Sequence, residues 1–188
     1  MKAAIFTSAL CIFSGFVSSL AVPAPDADAS AIEARAVTTI QPSLIITIEE
    51  ANPDTAFGPT SVAVVSKING SSSIQSLIQY NFPAGYSGLS CRFDFSNPIT
   101  ASGTKKVQLF TVGGRQITPT DTFNNRPFRN EFLGTFNAVT GPPSTVWDGS
   151  APTWPCPATA VTLGFEAVPE GDNDHVHWGT SSLVIVVS

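Results

Sequence analysis

The sequence predicts an all-β fold: an antiparallel β-sandwich, jelly-roll or Ig-like, of about 8–10 short strands with one disulfide. Three observations carry that prediction. Short apolar or alternating runs recur from residue 40 onward, separated by Gly, Pro, Asn and Ser. No segment in that region keeps a helical period for three turns. Charged residues are only 12 %, while 14 Gly and 15 Pro punctuate a chain that is 43 % hydrophobic, which favours strands and turns over helices or disorder.

The runs follow in order. Ser43–Glu49 holds Leu44-Ile45-Ile46-Thr47-Ile48, and Ser61–Ile68 holds Val62-Ala63-Val64-Val65. Gln75–Phe82 carries Leu77, Ile78, Tyr80 and Phe82. Leu89–Phe95 alternates, with Cys91, Phe93 and Phe95 on one face and Arg92 and Asp94 on the other. Lys106–Val112, Gly113-Gly114 and Arg115–Pro119 together read as a tight hairpin whose turn needs positive φ. Phe132–Val139 is a weaker run, and Val161–Ala167 alternates again. Ser182–Val187 is apolar on both faces, as expected of a central strand. It is too short for a lipid-anchor tail and follows no long polar spacer, so no membrane anchor is expected.

Lys2, the apolar run Ala3–Val17 and the small residues of Ser18-Ser19-Leu20-Ala21 read as a signal peptide over residues 1–21. Residues 22–35 are rich in Ala, Pro and acid without a period, and read as a pro-segment or tail that cannot bury enough surface to order itself. Residues 36–188 are then a single domain, secreted to the cell exterior or the cell wall. Cys11 leaves with the signal peptide, so Cys91 and Cys156 are expected to pair in an oxidising compartment, for about 4 kcal/mol of stability. Asn69-Gly70-Ser71 is a glycosylation sequon in a turn. Seven basic and eleven acidic residues remain after position 35, a net charge of −4, which repels nucleic acid.

Chemistry is sparse. Asp172-Asn173-Asp174-His175-Val176-His177 holds both histidines, which would share a face if extended. There is no third histidine, and the calcium-loop pattern fails at His177 and Leu183. Asp172, Asp174, His175 and His177 are thus weak metal candidates, and the segment reads as a polar loop; no metal or other cofactor is expected. Gly85-Tyr86-Ser87-Gly88 is followed by Leu89 where a nucleophile elbow needs Gly. Glu131, Asp148, Glu166 and Glu170 could supply a glycosidase acid pair. Trp147, Trp154 and Trp178 could form a platform for sugar rings, and Arg126 and Arg129 could grip an anion or carboxylate.

Three segments carry a resemblance: Tyr80-Asn81-Phe82-Pro83 leading into Cys91-Arg92-Phe93-Asp94-Phe95, then Thr122-Phe123-Asn124-Asn125-Arg126-Pro127, then Trp154-Pro155-Cys156-Pro157-Ala158. The chain resembles the ascomycete family of ubiquitin-3-binding-protein C-terminal domains over about residues 40–188. The resemblance implies a β-sandwich in a fungal extracellular or cell-wall setting, with no established catalytic residues. The resulting expectation is a non-enzymatic binding or structural protein whose partner is a cell-wall polysaccharide or an extracellular protein. The alternative is a small carbohydrate-active or metal-dependent extracellular enzyme.

Overall fold

The computed structural model describes residues 37–95, 99–139 and 145–188, and among them thirteen strands and no helix form. In chain order these are β1 Thr38–Ile40, β2 Leu44–Glu49, β3 Val62–Lys67, β4 Ile74–Phe82, β5 Ser90–Phe95, β6 Thr100–Gly103, β7 Lys106–Gly113, β8 Phe128–Ala138, β9 Thr145–Trp147, β10 Thr153–Pro155, β11 Val161–Pro169, β12 Asp174–Gly179 and β13 Leu183–Val187. The expected signal peptide and pro-segment, residues 1–35, lie outside the described residues. No helix among the described residues is long and apolar enough to cross a membrane.

The ladders are antiparallel and form two sheets. The smaller runs β1-β13-β5-β10. The larger runs β6-β12-β3-β4-β11-β7-β8-β9, with β2 also on β4. The sandwich core lies between them and contains Ile78, Tyr80, Phe93, Phe136, Phe165, Trp178, Leu183 and Ile185. Side chains alternate across a strand, so β5 buries Cys91, Phe93 and Phe95 and exposes Arg92 and Asp94, as its pattern predicted. Tyr80 ties the sheets together: its hydroxyl donates to the Leu183 carbonyl at 2.9 Å, and burial pushes its pKa well above the ordinary phenol value. Cys91 and Cys156 are disulfide-bonded, with Cα atoms 5.1 Å apart, which fastens the segment following β10 to β5.

Three readings change. The chain at Arg115–Pro119 is loop, not strand, and Gly113-Gly114 is no hairpin turn; β7 pairs instead with β8 across the long connection 114–127. Gly113 and Gly114 serve another purpose, because a Cβ on either would meet the Phe128 ring at 2.7–2.8 Å. The Asp174–Gly179 segment is a strand, β12, not a polar loop: it is hydrogen-bonded on both sides, to β3 and β6, and buries Asp174, Val176 and Trp178.

The connection 114–127 explains why β2 is apolar on both faces. Ile45 faces the sandwich core, while Ile46 and Ile48 join Leu77 and Ile117 in a second apolar cluster on the outer face of the large sheet. Ile117 and Phe123 of the connection pack there. Gly164 permits the close approach, since a Cβ there would sit 2.6 Å from Val112 Cγ2 and 3.2 Å from Ile117 Cδ1.

At the end of β2, Glu50 accepts from the Ser73 N–H at 2.8 Å and from its hydroxyl at 3.0 Å. The backbone bond first, then the hydroxyl, holds its carboxyl below the ordinary value of 4.5. A carboxyl with a lowered folded pKa stabilises above its unfolded pKa and loses that contribution as pH falls through the folded value. The stability difference between the wild type and Glu50→Gln is therefore expected to be full above pH 4.5 and to shrink below it. Urea titrations across the acid range measure it.

Candidate functional site

β7, β8, β10 and β11 position a sizeable cleft. It encloses about 570 Å³. Leu163 and Phe165 of β11 and Leu133 of β8 line it with apolar surface, and Trp154 of β10 contributes an indole. Thr111, Thr153 and Thr162 also line it, with hydroxyls that accept from Glu131 N at 3.0 Å and donate to Ala151 O at 3.2 Å and to Asn81 Oδ1 at 3.1 Å respectively, and Glu131 is the one carboxylate among its described lining residues. β10 is an edge strand paired only to β5, through Trp154 opposite Cys91, so the disulfide holds this wall in place. The Trp154 ring leans on Phe93 at 5.2 Å and stays half-buried. Apolar lining with a few polar groups is the usual make-up of a small-ligand site.

The three tryptophans do not make one platform. Trp154 lines the cleft. Trp147 is half-buried against Phe136 at 5.3 Å and Phe93 at 6.4 Å. Trp178 is only 2 % exposed, wedged 6.0 Å from both Phe95 and Phe136, so it packs the core rather than presenting a ring to a ligand.

Arg126 and Arg129 do grip a carboxylate, and it is the chain's own. Glu166 on β11 is fully buried, and it receives Arg129 Nε at 2.9 Å and Arg129 Nη2 at 3.0 Å. Arg126 Nε lies 3.2 Å from the same carboxylate. Each guanidinium also covers an aromatic ring, Arg126 over Phe123 at 4.3 Å and Arg129 over Phe110 at 4.7 Å. The pair therefore anchors the 114–127 connection and the start of β8 onto the sheet. Arg115 likewise pairs with buried Asp121 at 2.9 Å, which Thr118 also bonds. Sequence reading missed Glu166 as their partner because it lies on another strand.

The other acids are dispersed. Asp148 and Glu170 flank Lys106, at 3.2 and 4.0 Å, and the Asp148 hydrogen bond leads the causes that raise the lysine's pKa. With Glu166 held by two arginines, Glu131 faces the cleft without a second acid, so the glycosidase pair that the sequence allowed is not assembled there.

Around the histidines, the two aspartates are engaged elsewhere. Asp174 is buried and accepts from Gly171 N at 2.8 Å, Lys106 N at 3.2 Å and the Thr104 hydroxyl. Asp172 pairs with Lys67 at 2.7 Å. His175 and His177 share the opposite face of β12. Asn69 is exposed at the apex of a tight turn: Asn69 and Gly70 have φ of 52° and 67°, and Ser71 N bonds Ile68 O at 2.9 Å.

The segments that carried the resemblance now have structural roles: the aromatic alternation builds β5, the Phe123–Pro127 stretch clamps the outer face, and Trp154–Cys156 forms the disulfide-tied wall of the cleft. No curated protein matches the chain. The sequence model of the ubiquitin 3 binding protein But2 C-terminal domain matches residues 41–181, and the chain belongs to that family.

Proposed function

We propose that this protein is exported, matures by loss of residues 1–21 and of the segment to Arg35, and acts outside the cell as a non-catalytic domain that binds a cell-wall polysaccharide in the Trp154 cleft. The observation that carries the reading is the composition of the cleft: an indole, apolar floor residues and three threonines. Sugar rings offer an apolar C–H face for an aromatic ring and hydroxyls for hydrogen bonds, which matches such a lining. The disulfide and the exposed sequon at Asn69 suit an oxidising, glycosylating export route.

Titrating soluble β-1,3-glucan, chitin oligomers and mannan into the purified protein, with tryptophan fluorescence as readout, tests the reading. At least one polymer is expected to bind. Trp154→Ala is expected to weaken that binding about tenfold or more, roughly 1.4 kcal/mol, while Trp154→Phe retains most of it. Binding to none of the polymers, or binding indifferent to Trp154→Ala, would count against it.

A second reading rests on the edge of the large sheet. β9 pairs with β8 only at Phe136–Ala138, and Phe128 and Phe132, upstream on β8, are 60 % and 52 % exposed. An extended segment of a partner protein could add to that edge. The family's description names a protein partner, ubiquitin 3. Ubiquitin-type conjugation is intracellular, so for an exported chain we favour the polysaccharide.

A further inference from the structure

The two histidines of this chain stand together on one strand, away from the cleft residues. Along β12 the buried positions are Asp174, Val176 and Trp178, so His175 and His177 project from the other face and stay half-buried. Their ring centroids are 5.6 Å apart. Two imidazoles bound to one ion at about 2.0–2.1 Å would have centroids roughly 4.5–5.2 Å apart for bond angles of about 90–110°. The observed separation is slightly wider than that range, so an ion bound by both would draw the rings together.

A second, independent contact prepares one ring. His175 Nδ1 lies 3.2 Å from the hydroxyl oxygen of Ser66, a residue only 5 % exposed. With Nδ1–H donated to that oxygen, the neutral ring presents Nε2 as its ligand atom. Histidines that bind metals are commonly oriented in this way through their second nitrogen. Register places Ser66 and Ser102 beside His175, and Val64 and Thr100 beside His177, so the immediate cross-strand neighbours carry no positive charge.

We propose that His175 and His177 form an open two-imidazole site for a borderline divalent transition-metal ion, with Cu²⁺ bound in preference to Zn²⁺. Imidazole suits both ions, and Cu²⁺ stands higher in the affinity order for nitrogen ligands. Among the described residues no group of three or more His, Cys, Asp or Glu is assembled, so water completes the coordination and the ion is exchangeable rather than structural.

The test is a CuCl₂ titration of the purified protein near neutral pH in a non-chelating buffer, followed by calorimetry and electron paramagnetic resonance. One equivalent of Cu²⁺ is expected to bind, more tightly than Zn²⁺. The Cu²⁺ spectrum is expected to show two imidazole nitrogens, which only His175 and His177 can supply in one chain. Each single variant, His175→Ala or His177→Ala, is expected to weaken binding about tenfold or more, and the double variant to abolish it. A one-imidazole spectrum, unchanged stoichiometric binding in a folded double variant, or a two-imidazole spectrum that appears only when Cu²⁺ dimerises the protein would overturn the proposal. Should the variants not fold, the wild-type spectrum and its elution volume decide the matter alone.

Discussion

Replacing Cys91 and Cys156 together with alanine is expected to lower stability by about 4 kcal/mol. The bridged residues are 65 apart in sequence, so the reduced chain regains the freedom of a long loop. Domains are typically stable by only about 5–15 kcal/mol, so the loss is a large share of the total. For a domain of this size the melting temperature should fall by roughly 8–16 °C. The damage should begin at β10, a three-residue edge strand held by its pairing to β5 and by the Cys156 N–H bond to Leu89 O at 2.9 Å. Hydrogen exchange at residues 153–156 should therefore accelerate more than at β4 or β11. Ligand affinity in the cleft should fall with it, because Trp154 loses its fixed position. Equal melting of the oxidised and reduced protein would contradict this.

Glu166→Ala is expected to cost about 2–3 kcal/mol, somewhat below the loss for breaking a fully buried ion pair. The discount arises because the Arg126 and Arg129 side chains are 22 % and 35 % exposed and can turn partly to water. The two guanidiniums would otherwise face each other with no anion between them. The 114–127 connection should then lift from Ile46, Ile48 and Leu77, which limited proteolysis would detect as new cleavage in that segment. Glu166→Gln keeps the shape and part of the hydrogen bonding, so its effect should be smaller. Replacing Glu166, Arg126 and Arg129 together by apolar residues of similar volume should recover most of the stability, since no charge is then left unpaired. Chemical denaturation of the three variants provides the comparison.

Sequence and structure part at particular strands. β5, β11 and β13 were legible because each carries a period or an apolar run long enough to read. β12 was not, because Asp172-Asn173-Asp174 has turn chemistry and Asp174 occupies a buried position. Its carboxylate is satisfied locally by Gly171 and, from some seventy residues away, by Lys106 and Thr104, which only the assembled fold brings to it. β9 and β10 have three residues each, too few for a pattern among Pro, Gly and Ser. The apolar run of β2 was visible, but the reason it is apolar on both faces is a connection some seventy residues downstream.

The candidate site divides in the same way. The sequence pointed to three tryptophans, Trp147, Trp154 and Trp178, and to an arginine pair suited to a carboxylate. It could not show that Glu166, 37 residues after Arg129, is the carboxylate gripped. Nor could it separate Trp154 from Trp178, since exposure depends on which strands close over the ring. The cleft draws its lining from β7, β8, β10 and β11, and no local spacing encodes such an arrangement.

Whether the Trp154 cleft is where this protein meets its ligand is most directly decided by amide and indole chemical-shift mapping with the tightest-binding soluble polysaccharide. The largest shifts are expected at the Trp154 indole, Thr153, Leu163 and Glu131, with Trp178 little affected. Shifts centred on Phe128 and the free edge of β8, or none near Trp154, would rule the cleft out as the binding site.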